Sequence, residues 1–269
     1  MNDDRQNIAE PAGLKLRKKR WGIWFLIPQL VVLIVVFIFA VQWKDSLKTQ
    51  RVIVSGAHLL PPTDIYDLAQ VPMKSSLFGI NLVDIYGRVT AQPFVKTAVV
   101  YRQLPDAVHI HVTEREPIAS LNTGQLYYID GEGVLLPYRR TAVKLDLPVI
   151  TGIGGIDHVR VGEVVVSNEI FQAIEILKIA REVDTSIYHL ISEVNMNNGG
   201  DITLFSVEGG VPITLGRGDV GKKLVTLHSF LGSILKSEDA TKLRSIDLRF
   251  DEQVVVKWEQ KTERYPKNG

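Results

Sequence analysis

The hydrophobic positions of this chain follow three regimes. From Trp21 to Trp43 the pattern is continuous, WGIWFLIPQLVVLIVVFIFAVQW, with no Asp, Glu, Lys, Arg or His. As a helix these 23 residues would rise about 34 Å, enough to cross a hydrocarbon core of roughly 30 Å. Trp21, Trp24 and Trp43 lie near the ends, where amphipathic rings favour the headgroup level. Pro28 and Gln29 fall in the second turn, so the helix either starts nearer Leu30 or kinks there.

Beyond the span, short alternating and helical stretches take turns. Arg51 to Ser55 reads as a strand closed by Gly56. Pro61-Pro62-Thr63-Asp64 starts a helix behind a Thr63 cap, and Asn81 starts another that carries Leu82, Ile85, Tyr86 and Val89 on one face and stops before Pro93. Val95 to Arg102 is a strand. After the turn at Leu104-Pro105-Asp106-Ala107, Val108, Ile110 and Val112 alternate with His109, His111 and Thr113, which places the two histidines on the opposite face. The first unit is therefore strand–helix–helix–strand–strand.

The third regime, from about residue 118, is dominated by short strands punctuated by Gly and Pro. They fall at Ile118–Leu121, Leu126–Ile129, Val134–Pro137, Val149–Ile150, Ile191–Met196, Ile202–Val207 and Val211–Leu215. Two helices interrupt them. One is capped by Ser167 or Asn168 with Ile170, Phe171, Ile174 and Leu177 at helical spacing, and the other carries Val220, Leu224, Leu227, Leu231 and Ile234 on one stripe. Ser245–Phe250 and Gln253–Trp258 close the fold as a hairpin about Asp251-Glu252, and the polar tail from Lys261 is expected to be disordered.

Charge gives the span a direction. Arg5, Lys15, Arg17, Lys18, Lys19 and Arg20 precede it against Asp3, Asp4 and Glu10, which predicts a cytoplasmic N-terminus. A cleaved signal peptide would need a shorter apolar region and a small-x-small exit, whereas this run ends FIFAVQW. A retained single-pass anchor is expected, with 25 basic and 27 acidic side chains in the part beyond it. The whole chain of 269 residues carries a formal charge of +1, without the basic footprint of a nucleic-acid binder. With no Cys there is no disulfide framework, thiolate metal site or cysteine nucleophile.

Candidate chemistry is thin. Gly216-Arg217-Gly218-Asp219-Val220-Gly221-Lys222 fits G-x-G-x-x-G and most of a P-loop, but Lys223 stands where the magnesium-binding hydroxyl belongs. Asp219 is better read as the cap of the following helix, where it would also repel a phosphate. Arg217-Gly218-Asp219 is an adhesion tripeptide by spelling, and a turn plus a cap accounts for it. His109 and His111 are the one metal candidate; they lack a third nearby ligand and read as solvated. G-x-S-x-G and H-E-x-x-H do not occur. No cofactor, small-molecule substrate or enzymatic activity is expected. The remaining candidate is the terminal β-rich stretch Glu252 to Trp258, because a last strand can leave an open edge to which a partner adds a strand.

Val52-Ile53-Val54-Ser55-Gly56, Leu104-Pro105-Asp106, Val112-Thr113-Glu114-Arg115-Glu116-Pro117-Ile118-Ala119, Ile129-Asp130-Gly131-Glu132-Gly133, Leu215-Gly216-Arg217-Gly218 and Ile246-Asp247-Leu248-Arg249-Phe250 occur in that order. In these strings and in its architecture the chain resembles the bacterial cell-division family FtsQ (DivIB). The resemblance implies a single-pass membrane protein with an α+β ectodomain. Its parts would be a cytoplasmic tail (1–20), a transmembrane helix (21–43), a β-α-α-β-β POTRA domain (44–117), a β-rich domain with flanking helices (118–260) and a tail (261–269). It also implies a non-enzymatic divisome scaffold of the inner membrane at the septum. Such a scaffold binds FtsB-like and FtsL-like coiled-coil proteins and through them influences FtsW and FtsI in septal peptidoglycan synthesis.

Carried over by position, the resemblance places the partner-binding strand at Arg249, Phe250, Asp251, Glu252, Gln253, Val254, Val255 and Val256, with Trp258 near its end. Arg249 is expected to pair with an acidic residue of the partner. The chain departs from the family at Glu252 and Gln253, where relatives have small residues, and at Asn197-Asn198-Gly199-Gly200, where they have an Arg. Strand Val52–Ser55 is a second pairing edge in prospect. The other function class compatible with the pattern is a POTRA protein of polypeptide transport or envelope assembly. It predicts further POTRA modules or an outer-membrane barrel, and the residues after 117 offer neither.

Overall fold

The computed structural model describes residues 21–139, 141–154, 160–234, 242–250 and 253–259. The basic N-terminal cluster, the Asp251-Glu252 pair and the polar tail from Lys261 lie outside the described residues. Helix α1 (Trp21–Ser46) is helical on both sides of Pro28, so its start is not displaced toward Leu30. Its stretch Leu26–Lys44 is long and apolar enough to cross a membrane, and none of it is buried against protein. It is a candidate single membrane span.

The first folded unit holds β1 (Arg51–Ser55), α2 (Pro62–Ala69), α3 (Leu82–Thr90), β2 (Val95–Gln103) and β3 (Ala107–Glu114). Its sheet runs β1-β3-β2, with β1 parallel and β2 antiparallel to the central β3. Val108, Ile110 and Val112 point to one face of β3 and pack against Ile65, Ile85, Val89 and Phe94. Gly56 ends β1 at φ +81°, where a Cβ would lie 2.0 Å from the Val112 carbonyl oxygen; only glycine fits there. Two local expectations need correction. Helix α2 begins behind Pro61 with no side-chain cap, so Thr63 lies inside it, where proline's preset φ suffices to start the helix. Tyr86 is exposed, because α3 turns only the narrow stripe of Ile85 and Val89 fully inward. Asn81 does cap α3, its Oδ1 accepting from the Val83 N–H at 3.0 Å.

The second unit is one mixed sheet of nine strands in the order β12-β11-β10-β9-β8-β7-β4-β5-β6. Its members are β4 (Pro117–Asn122), β5 (Leu126–Asp130), β6 (Leu135–Pro137), β7 (Val149–Thr151), β8 (Ile191–Asn195), β9 (Thr203–Ser206), β10 (Pro212–Thr214), β11 (Leu243–Asp247) and β12 (Val255–Trp258). Helices α4 (Asn168–Val183), α5 (Thr185–Leu190) and α6 (Val220–Ile234) are packed with the sheet around one core. Ile170, Ile174, Leu177, Leu224 and Leu227 face strand residues such as Leu121, Ile150, Val194, Leu204, Ile213 and Ile246. Phe171, expected on the buried stripe, is exposed and lies over Gly133, whose added Cβ would come within 3.1 Å of its ring; Ala173 and Ile176 take the inner positions instead. Ile234 has no described side chain.

The two units are firmly joined. Tyr128, Val134 and Leu136 of the second are buried in the core cluster of the first. Arg115 donates to Asp130 at 2.8 Å and to Glu132 at 2.9 Å, and Arg139 pairs with Asp64 at 2.6 Å. Within the first unit, the Glu114 carboxylate accepts the backbone N–H groups of His58, Leu59 and Leu60.

Candidate functional site

Strand β12 is the outermost strand of the large sheet and pairs antiparallel with β11 alone. Its register sets Val256 against Ile246, Val255 against Asp247 and Lys257 against Ser245. Because Ile246 is buried, Val256 lies on the core side, while Val255 and Lys257 lie on the opposite face. The Glu259 N–H bonds the Lys242 carbonyl at 2.8 Å, toward β11. Main-chain groups alternate along a strand, so those of Val256 and Trp258 point away from the sheet. The bulge in this pair inserts its extra residue into β11 and leaves the alternation of β12 intact.

Apolar surface accompanies these unpaired groups. Phe250 is 52% exposed, and Val255 and Trp258 are each 42% exposed. Phe250 and Gln253 share a shallow depression with Asp219, Lys222 and Thr226 at the start of α6. The edge is shorter than the sequence pattern indicates. Arg249, Phe250, Gln253 and Val254 belong to the connection between β11 and β12, and Val254 is partly buried against the core. A seven-residue connection replaces the tight hairpin, since β11 ends at Asp247 and β12 begins at Val255.

Arg249 is engaged within the chain. It donates to Asp247 at 2.7 and 3.0 Å and to Asp201 at 2.9 Å. These hydrogen bonds raise the Arg249 guanidinium above its ordinary value and hold the Asp247 carboxyl below its own. Gly216, at φ +65°, lets the arginine stem lie close; a Cβ there would sit 2.7 Å from Arg249 Cγ. Asp201 stands in none of the strings read from the sequence, and Gly216 and Asp247 stand in them without this role.

The other candidates resolve into structure. Asp219 caps α6 by accepting the Lys222 N–H at 3.0 Å. Lys223 Nζ donates to the Leu215 and Arg217 carbonyls at 2.9 and 2.6 Å, so the glycine-rich loop is tied down by its own lysine. His109 and His111 are not simply solvated. Ser55 Oγ bridges His109 Nε2 at 2.8 Å and His111 Nδ1 at 2.9 Å, and Tyr101 stacks on His109, which knits the three strands of the first sheet together. Among the described residues no group of three or more His, Asp or Glu is placed to hold a metal ion.

Comparison with known proteins agrees with this architecture. A family model described as the POTRA domain, FtsQ-type, matches residues 47–115, and one described as FtsQ/DivIB, C-terminal related, matches residues 116–257. The cell division protein FtsQ of Geotalea daltonii is 32% identical over 212 residues, covering 78% of this chain and 75% of the relative. FtsQ of Geobacter sp. strain M21 is 31% identical over 218 residues, 78% and 76% of the two chains. FtsQ of Salinibacter ruber is 30% identical over 225 residues, 80% and 85% of the two. With a POTRA-type unit, a β-rich unit and an apolar N-terminal helix all in the family's order, the chain belongs to the FtsQ/DivIB family of cell-division proteins.

Proposed function

We propose that this chain is a non-enzymatic divisome scaffold that captures an FtsB-like division protein as an added strand along β12. The carrying observation is the open edge, with main-chain groups of Val256 and Trp258 directed outward beside exposed Phe250, Val255 and Trp258. An extended peptide pairing there would gain main-chain hydrogen bonds and bury apolar area on both sheet faces. Of the carried-over positions, Val256 and Trp258 would hold the peptide backbone and Phe250, Gln253, Val254 and Val255 would flank it. Asp251 and Glu252 would extend the contact, and Arg249 would act by shaping the connection. An FtsL-like protein would join through the FtsB-like one, linking the complex to septal synthesis by FtsW and FtsI.

The same reading places residues 1–20 in the cytoplasm and the units 44–117 and 118–260 in the periplasm, anchored by one helix at the septum. Binding is tested by titrating the full chain with the FtsB-like partner. Val256→Pro is expected to weaken binding about a hundredfold, and normal affinity in that variant would remove β12 as the site. The cellular role is tested by depletion with a fluorescent fusion to locate the protein. Smooth filaments without septa, with the fusion at midcell beforehand, are expected. Normal-length cells with secretion defects would favour a transport role instead.

A further inference from the structure

The segment that follows the membrane helix is not a free linker. The Leu77 N–H bonds the Leu47 carbonyl at 2.8 Å, the Thr49 N–H bonds Ser75 at 2.9 Å, and the Lys74 N–H bonds Thr49 at 2.7 Å. Residues 47–49 thus pair with residues 74–77, and Thr49 and Leu77 are fully buried. This junction fixes the loop of residues 71–80 against the end of α1. Lys44 closes the apolar stretch of α1, and its Nζ lies 5.6 Å from the centre of the Phe78 ring. Phe78 is therefore at the depth where the hydrocarbon gives way to headgroups, a level that aromatic rings favour. Arg102 lies on the same ring at 5.8 Å and holds the loop by donating to the Leu77 and Ile80 carbonyls. Met73 and Phe78 are 40% and 39% exposed, both on the loop that the junction holds against the end of α1.

Charge completes the surface. Lys44 and Arg102 lie on the Phe78 ring, Lys48 pairs with Ser76 across the junction and Lys74 follows Met73 in the chain, while residues 44–50 and 71–80 contribute one carboxylate, Asp45. We propose that this loop is a membrane-docking surface: Met73 and Phe78 enter the interface, and the basic side chains engage the phosphates of anionic phospholipids. Each lysine near an anionic leaflet strengthens such docking by about fivefold. The first unit would then be held at a set orientation on the bilayer, which gives the β12 edge a defined place above it. This inference rests on reading α1 as a membrane span.

The chain lacks cysteine, so a single introduced one can carry a fluorophore without background. Full-length Met73→Cys is labelled and reconstituted in nanodiscs of phosphatidylcholine alone or mixed with phosphatidylglycerol, each with a headgroup-level spin-labelled lipid as quencher. Val166→Cys, on an almost fully exposed side chain of the second unit, serves as the reference. Strong quenching at position 73 in anionic discs is expected, with less in neutral discs and almost none at position 166. Lys48→Glu with Lys74→Glu should reduce it at least to the neutral-disc level. Quenching that ignores lipid charge and both lysines, or entry into discs without quenching, would overturn the docking surface alone. Failure of the chain to co-elute with discs would overturn the anchor and the docking surface together.

Discussion

The two edges of the nine-stranded sheet are treated in opposite ways. At one end, β6 is covered: the Leu135 N–H bonds Glu163, the Gly162 N–H bonds Leu135, and Val134 bridges to Val164. Its Leu135 and Leu136 are fully buried, Leu136 in the core shared with the first unit, and Pro137 lacks the N–H that a further ladder would use. At the other end, β12 has no such strap among the described residues, and apolar side chains stand exposed beside it. An uncovered edge invites aggregation, so folds normally blunt both ends. That this fold blunts one and leaves the other is the physical argument for a partner at β12.

The comparison can be broken at either end. The largest stability effect is expected at the closed edge, where Leu136→Ala removes a fully buried side chain shared by both units. It should cost about 2–5 kcal/mol, read as a lowered midpoint in denaturant. Next is Val256→Pro at the open edge. The lost N–H points away from β11, so the strand should remain paired while partner binding falls by a hundredfold or so, with the ladder disrupted and the peptide excluded. Val255→Pro is its control: that N–H points toward β11, and the variant should lose stability as well as binding.

Phe250→Ala and Val255→Lys remove apolar contact area without touching the ladder and should weaken binding by about tenfold, measured by titration calorimetry, with unfolding unchanged. Arg249→Ala should be milder, because its ion pairs with Asp201 and Asp247 lie at the surface, where water and salt screen them. The Asp247 carboxyl is held low in the folded chain, so this cluster stabilises at neutral pH. The contribution fades as the pH falls below about 4, and Arg249→Ala should flatten that part of the stability curve. The smallest effect is expected from His109→Ala with His111→Ala, which loses the Ser55 bridge on an exposed sheet face and should leave division intact, as judged by cell length.

Periodicity made most of the elements legible. The alternation of Val108, Ile110 and Val112, the stripe of Leu224 and Leu227, and the caps at Asn81, Ser167 and Asp219 all appear where the pattern puts them. Side-chain destinations were less legible. Tyr86 and Phe171 sit at helical spacing yet face outward, because spacing marks a side of a helix without saying how wide the covering layer is. Arg249 was expected to reach for a partner, and its two carboxylates come from Asp247 nearby and Asp201 far away in the chain, a pairing no local pattern encodes.

The apolar run, the basic residues before it, the order of strands and helices and the short family strings are properties of neighbouring residues, and the sequence alone determined them. Which strand lies at an edge is a different kind of fact. It depends on β11 pairing with β10 and β12 with β11, across α6 and a seven-residue connection, and on the 162–165 strap reaching β6. Strand order follows from how all nine hydrophobic faces share one layer of helices, so only the tertiary structure could decide which edge was closed and which was left open.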